Sequence, residues 1–346
     1  ACDMGGLPNV FTGYKAVSDP EENRRFSEAW GRELPNRPGL TISDMVPAML
    51  EGRIKALYVI GENPKLSDPD WNHLHEAMRH LDLLVVQDLF LSETAQAAHV
   101  VLPAASLAEK NGTFTNSERR CMRIRKAIEP LGEALPDWKI IQQLSTALGF
   151  PMDYESPKAI FEEMAGLTAS YAGMSYERLK IDGLQWPCPT ADHPGTPFLH
   201  KDAFARPGGK GAFQAIEYQD PAELPDEEYP FFLTTGRMFS HYHTGTMTRI
   251  SPHLDAEQKV GCVDMHPRDA QRVGVENGDV VVLASRRGTM EAPVRLTRTV
   301  RKGVLFMPIH FGESPANMLT SSVCDPIAKI PEFKVSAVRV EKLAAA

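Results

Sequence analysis

From Arg53 to Gly61 the chain reads RIKALYVIG, an almost unbroken apolar run closed by a glycine. Two more such runs follow, LDLLVVQD (81–88) and HVVLPAAS (99–106). Between them lie helical patterns: SDPDWNHLHEAMRHL (67–81), with Asp68 placed to cap it and Pro69 at its first turn, and SETAQAAH (92–99), capped by Ser92. Short apolar strands alternating with helices predict a parallel, Rossmann-like sheet covered on both faces. PDWKIIQQLSTALG (136–149) predicts an amphipathic helix with Trp138, Ile141, Leu144 and Leu148 on one stripe and Gly149 as its stop. Upstream, residues 1–50 hold Gly, Pro and Asn clusters that read as loops around one short helix near Glu21–Trp30.

Past about Tyr229 the texture becomes that of strands. FFLTTGR, KVGCVDMH, DVVVLASRRG, MEAPVRLTRTV, GVLFMPIHF and FKVSAVRVEK are six strand-like runs, with SRRG as a hairpin turn between two of them. Six short strands with few helices predict a small closed barrel. Residues 151–228 are rich in Pro, Gly and aromatics and read as a connection with a helix near 157–165. The fold class is therefore α/β, divided into an α/β region (1–150), a connecting segment (151–228) and a β-barrel (229–346).

Net charge is −8, which argues against a broad nucleic-acid surface. No run reaches the roughly 18 apolar residues of a membrane span, and the first residues carry no charged-then-apolar signal. Cys2, Cys121, Cys188, Cys262 and Cys324 are scattered, with no CxxC, so neither a disulfide framework nor a metal cluster is expected from them. A reducing compartment, the cytoplasm, fits. The opening ACDMGG and the closing EKLAAA read as the ends of a part of something longer.

The candidate chemistry sits at strand ends. In an open parallel sheet, ligands bind outside the carboxyl ends of the strands. GENP (61–64) and QDLFLSETA (87–95) leave the sheet there, and Glu62 and Asp88 would face the crevice. A carboxylate only accepts hydrogen bonds, so it suits a base edge with two N–H groups, such as that of guanine. No GxGxxG is present, which disfavours a dehydrogenase site for NAD. A second cluster, TTGRMFSHYHTGTMTR (234–249), gathers donors without carboxylates. Zinc would need further ligands. Arg237 offers a planar fork for phosphate, and Thr244, Thr246, Thr248 and the Gly245 backbone could complete an anion cradle. A third, HFGESPANMLTSSVCDPIAKIPEFK (310–334), places Asn317, Asp325 and Lys334 in a long loop before the last strand.

Eleven stretches in order carry a resemblance: ACDMGGLPN, YVIGENP, VVQDLFLSETAQAAHVVLP, EKNGTFTNSERR, DWKII, YERL, LQWPCP, EYPFFLTTGR, HYHTGTMTR, SRRG and DPIAKIPEFKVSAVRVE. Over nearly its whole length the chain resembles the C-terminal half of the catalytic subunit of molybdenum- or tungsten-dependent formate dehydrogenases, of the dimethyl-sulfoxide-reductase type. The resemblance implies a bis-molybdopterin guanine dinucleotide cofactor with Mo or W, α/β domains that bind the dinucleotides and a C-terminal barrel of the double-psi type that closes over them. It places Gly61, Glu62, Asn63, Pro64, Gln87, Asp88 and Thr94 in the guanine-binding loops. Arg237, Met238, His241, Tyr242, His243 and Thr244 fall in the loop at the pterin and pyrophosphate. Asn317, Phe333 and Lys334 match late pterin contacts.

It also implies what lies elsewhere: the catalytic Cys or selenocysteine, the catalytic His, the substrate-side Arg and the iron–sulfur cysteines all belong to a preceding segment. No catalytic residue and no metal ligand is therefore expected in this chain, which alone should not turn over formate. The implied partners are that N-terminal half and electron-transfer subunits. Nitrate reductases of the same family share much of HxHTGTMTR and stand as the alternative. A non-catalytic guanine-nucleotide-binding or scaffold protein is the alternative of another class.

Overall fold

The computed structural model describes residues 8–343; most of the ACDMGGLPN stretch, Cys2 and the closing AAA lie outside the described residues. The chain forms two compact units, each interrupted in sequence: residues 41–101 with 217–346, and residues 1–40 with 102–216.

In the first of these, β1 (Ala56–Ile60) and β2 (Leu83–Asp88) pair in parallel, Ala56 opposite Leu83, and β3 (Val100–Pro103) follows beside β2, at the division between the units. Parallel order follows from the crossover helix Trp71–Arg79, whose Leu74, Ala77 and Met78 pack on Val59, Leu84 and Val86. Burying Leu74 and Met78 contributes about 2 kcal/mol each. A helix not anticipated from the sequence, Ile42–Leu50, adds Met49 to this core; Thr41 caps it, and an internal Pro47 disguises its periodicity. The crossover helix starts later than expected. Pro64–Ser67 forms a helical turn of its own behind Asn63, Asp68 is extended, and Asp70 sits at φ +50 before Trp71. Asp68 is thus no N-cap.

The same unit holds the barrel. Its strands are β4 (Phe231–Gly236), β5 (Val263–Met265), β6 (Val280–Ala284), β7 (Thr289–Leu296), β8 (Val304–Pro308) and β9 (Ser336–Lys342). They close in the order β5-β7-β6-β9-β4-β8, with Asp264 opposite Phe306 sealing the ring. All six expected strands are present, and closure leaves no edge. SRRG is the expected hairpin: Ser285 N–H donates to Gly288 O at 2.9 Å. Alternate residues point inward, and Phe231, Leu233, Val281, Leu283, Leu305, Met307 and Val338 fill the interior.

The other unit builds on the helix Pro20–Ala29, capped by Asp19. It adds an antiparallel hairpin, Gly112–Thr115 with Arg120–Ile124, and the helices Asp137–Ala147 and Pro157–Leu167. Residues 151–228 are more than a connection. Tyr171, Met174, Tyr176, Leu179 and Cys188 pack on Phe161 and Cys121 into a core, because their aromatic groups supply the burial that a Pro- and Gly-rich composition hides. In Asp137–Ala147 the buried residue is Ile140, while Ile141 and Leu148 are exposed, so the stripe faces one residue away from expectation. Among the described residues the cysteines are free thiols, and no helix is long and apolar enough to cross a membrane.

Candidate functional site: the loop after the first barrel strand

Strand β4 ends where only glycine fits: a Cβ on Gly236 would lie 2.4 Å from the Phe306 ring. The chain then opens into the loop 237–249. At this strand end Thr235 works twice. Its hydroxyl donates to Phe333 O at 2.7 Å, and its carbonyl accepts from Lys334 Nζ at 2.7 Å. Phe333 and Lys334, nearly a hundred residues later, are thereby fixed next to Arg237. Burial and then the Arg237 charge push the Lys334 ammonium below its ordinary range. Among the described residues neither Arg237 nor Lys334 makes an ion pair. Two cations held together without a counter-charge form a place for an anion.

The rest of the loop is fastened from within. Met238 N–H donates to His310 Nε2 at 2.6 Å, and the other ring nitrogen, Nδ1, contacts His243 O. A backbone N–H can only donate, so Nε2 accepts and the proton sits on Nδ1, where it meets a carbonyl. His241 is buried, with Nε2 on Gln258 O at 2.8 Å and Nδ1 on the Thr248 hydroxyl at 3.2 Å. Gly245 (φ +79) packs so closely that a Cβ would come 2.7 Å from His310 O. Arg249 closes the loop, pairing with Asp255 and Glu313 and lying 4.8 Å over the Phe311 ring. Tyr242 and His243 are exposed, and His243 sits at φ +49.

This loop meets the sheet edge. Asn63 is buried with every bonding position used: Nδ2 donates to Glu93 (2.6 Å) and to Thr246 (3.0 Å), and Oδ1 accepts from the backbone (3.1 Å) and hydroxyl (2.7 Å) of Thr94. Asn317 is a second latch, donating to Leu66 O and Ser67 O at 3.0 Å each. A cleft of about 230 Å³ runs between these elements, walled by Phe90, Glu93, Thr244 and Arg249 among others. At the ends of β1 and β2, outside the lining of this cleft, Gly61 takes φ +61 and Glu62 is exposed; Asp88 is half-buried and accepts from Leu89 N–H. Gln87 is fully buried, bonded by the Tyr58 hydroxyl.

Asp68, just behind the cleft, has its carboxyl pushed up to about 6 by burial, opposed by the Ser67 hydroxyl and reinforced by Glu62. Below the ordinary carboxylate range the folded and unfolded chains both hold the proton. As pH rises the unfolded chain ionises first, so stability falls until about pH 6, above which the deficit is constant. Asp68→Asn should therefore stabilise the complete subunit by as much as about 2–3 kcal/mol at neutral pH and leave it almost unchanged near about pH 3. Thermal melts of both proteins across pH check this; an equal gain at both ends would refute it.

The expected residues fall into two groups by exposure. Asn63, Pro64, Gln87, Thr94, His241, Thr244 and Asn317 are buried, most of them bonded to protein. Gly61, Glu62, Asp88, Arg237, Met238, Tyr242, His243, Phe333 and Lys334 reach the surface in whole or part. The hydroxyls of Thr246 and Thr248 are spent on Asn63 and His241 rather than on an anion cradle. His310 and Glu93 were not anticipated, since a histidine just past a strand and a glutamate in a four-residue helix carry no local signal. Among the described residues no group of three or more His, Cys, Asp or Glu is arranged to hold a metal ion.

Two family models match, molybdopterin oxidoreductase over residues 1–147 and molydopterin dinucleotide binding domain over 231–337. The chain belongs to the molybdopterin oxidoreductase family. It is 50% identical over 345 residues to the F420-dependent formate dehydrogenase subunit alpha of Methanocaldococcus jannaschii. It is 49% identical over 345 residues to F420-dependent formate dehydrogenase 1 subunit alpha of Methanococcus maripaludis. Each match covers 99% of this chain and 51% of the relative, so the chain spans about half the length of the curated relatives it matches. The acetylene hydratase of Pelobacter acetylenicus has the same fold, with a TM-score of 0.71 at 17% identity, over 94% of this chain and 50% of that one. The molydopterin match begins on β4 and ends on β9, so it takes in the barrel and the loop 237–249.

Proposed function

We propose that this chain is the cofactor-holding C-terminal part of a formate dehydrogenase catalytic subunit, and that it binds a molybdopterin guanine dinucleotide. The supporting observation is the Arg237–Lys334 pair at the end of β4: Lys334 is tied to the Thr235 carbonyl, feels the Arg237 charge, and neither has an acidic partner among the described residues. That donor set fits a pyrophosphate and pterin and offers no metal ligand. Arg237 and Lys334 would hold phosphate oxygens. Tyr242, His243 and Phe333 would border the pterin, and Glu62 and Asp88 the guanine edge. Asn63, Gln87, Thr94, His241 and Asn317 would act behind them, by keeping the loops in place. The cofactor, when bound with Mo or W, supplies a two-electron acceptor for formate oxidation to carbon dioxide. This chain's part is to bind, orient and neutralise it. Iron–sulfur ligands and the catalytic residues belong to the N-terminal half, and further cytoplasmic subunits carry the electrons on; the relatives' names point to F420 as one acceptor to assay.

The test is made on the complete subunit. Acid release should yield GMP together with Mo or W, and formate should reduce an artificial dye. Nitrate reduction in place of formate oxidation would favour the nitrate reductase reading. Bound GMP without metal would favour a nucleotide-binding protein, and neither GMP nor metal would sink both readings.

A further inference from the structure

His310 is fully buried on the loop that leaves β8, yet it touches the phosphate-side loop in three ways. Its Nε2 takes the N–H of Met238, one residue after Arg237. Its Nδ1 serves the carbonyl of His243. Its own carbonyl oxygen lies where Gly245 admits no side chain. Met238 and His243 bracket the exposed part of the loop, so one imidazole ties both ends of the turn that carries Arg237, Tyr242 and His243. That task requires a neutral ring with one donor and one acceptor nitrogen.

We propose that His310 is a positioning residue for the dinucleotide: the Nδ1–H neutral ring holds the loop 237–243 in its phosphate-binding shape, and protonation of the ring releases it. The inference rests on the reading of this loop as a phosphate site. The switch is built into the geometry. A second proton on Nε2 would face the Met238 N–H donor at 2.6 Å, so the charged ring must give up that bond. The loop would then be tied at one end only, and the backbone next to Arg237 would no longer be held at Met238. The surroundings set where this happens. Burial holds the ring below its ordinary range; the His243 carbonyl opposes that, and charge on His241, Arg237 and His243 adds to it. From the other walls of the cleft, Arg249 is already neutralised by Asp255 and Glu313, and Glu93 is taken by Asn63. Release therefore belongs to the acid side of neutrality.

The experiment follows GMP loss from the complete, cofactor-loaded subunit between about pH 7 and about pH 5, with His310→Gln, His310→Leu and Arg237→Ala beside the unaltered protein. GMP is quantified in the filtrate after each incubation, and folded protein is followed separately by circular dichroism. The unaltered protein should lose GMP about tenfold faster at the acid end while still folded. His310→Gln keeps an acceptor and a donor but cannot take a proton, so its loss should be pH-independent. His310→Leu should lose GMP quickly at both ends. Equal acid acceleration in His310→Gln and the unaltered protein, or retention in His310→Leu that follows only the folded fraction, would overturn the proposal. Unaltered protein that never held GMP would instead overturn the underlying functional reading, as would full retention in Arg237→Ala.

Discussion

Replacing Arg237 with alanine in the complete catalytic subunit should strip it of cofactor and leave its fold intact. The side chain is exposed and makes no ion pair among the described residues, so nothing in the protein depends on it. A lost charge-assisted hydrogen bond to phosphate costs about 1.5–3 kcal/mol, or roughly ten- to a hundredfold in retention. GMP and metal content per folded subunit are the measurement, with the melting temperature as control. Unchanged content would remove the phosphate assignment. Lys334→Ala should be less clean, because Lys334 also ties its loop to Thr235 and its loss would lower stability too. Arg237→Lys should recover part of the retention, since a point charge replaces a two-pronged donor.

Asn63→Ala should do the reverse and damage the fold first. Its removal orphans the buried Thr94 groups and frees the Glu93 carboxylate and Thr246. Unsatisfied buried groups cost about 1–3 kcal/mol each. A loss of about 3 kcal/mol would lower the melting temperature of the unit formed by residues 41–101 and 217–346 by about 6–12 °C if that unit melts by itself, and by about 4 °C if the whole chain melts together. Asn63→Asp should be worse at neutral pH, for it sets a second carboxylate where Glu93 lies 2.6 Å away. An unaltered melting temperature in Asn63→Ala would show that the latch carries no stability.

Much of this was legible in the sequence, unevenly. The six barrel strands were, because period-two burial is local to each run and a closed ring asks little else of them. β1, β2 and β3 were legible as apolar runs with glycine or polar stops. The helix Ile42–Leu50 was not, since Pro47 breaks the pattern from inside. Neither was the core at 161–188, whose aromatic groups are set in loop-like composition. At the site, the types of residue were readable and their allegiance was not. Asn63, His241 and Asn317 look like ligand contacts because they are polar and lie in loops; only the fold shows their bonds turned inward. His310 escaped notice for the same reason, as a ring defined by two backbone groups about 70 residues away.

The interrupted make-up of the barrel-bearing unit has a consequence for its birth on the ribosome. Residues 41–101 emerge long before 217–346, with all of 102–216 translated in between. At the usual pace of synthesis that delay is roughly ten seconds. Throughout it, Asn63 has no Thr246 to hold, and the backbone carbonyls of Leu66 and Ser67 wait for Asn317. The β1–β2 pair must survive that interval as a nascent chain with Leu66, buried in the finished fold beside Gly312, still in water, the condition in which a chaperone finds its clients.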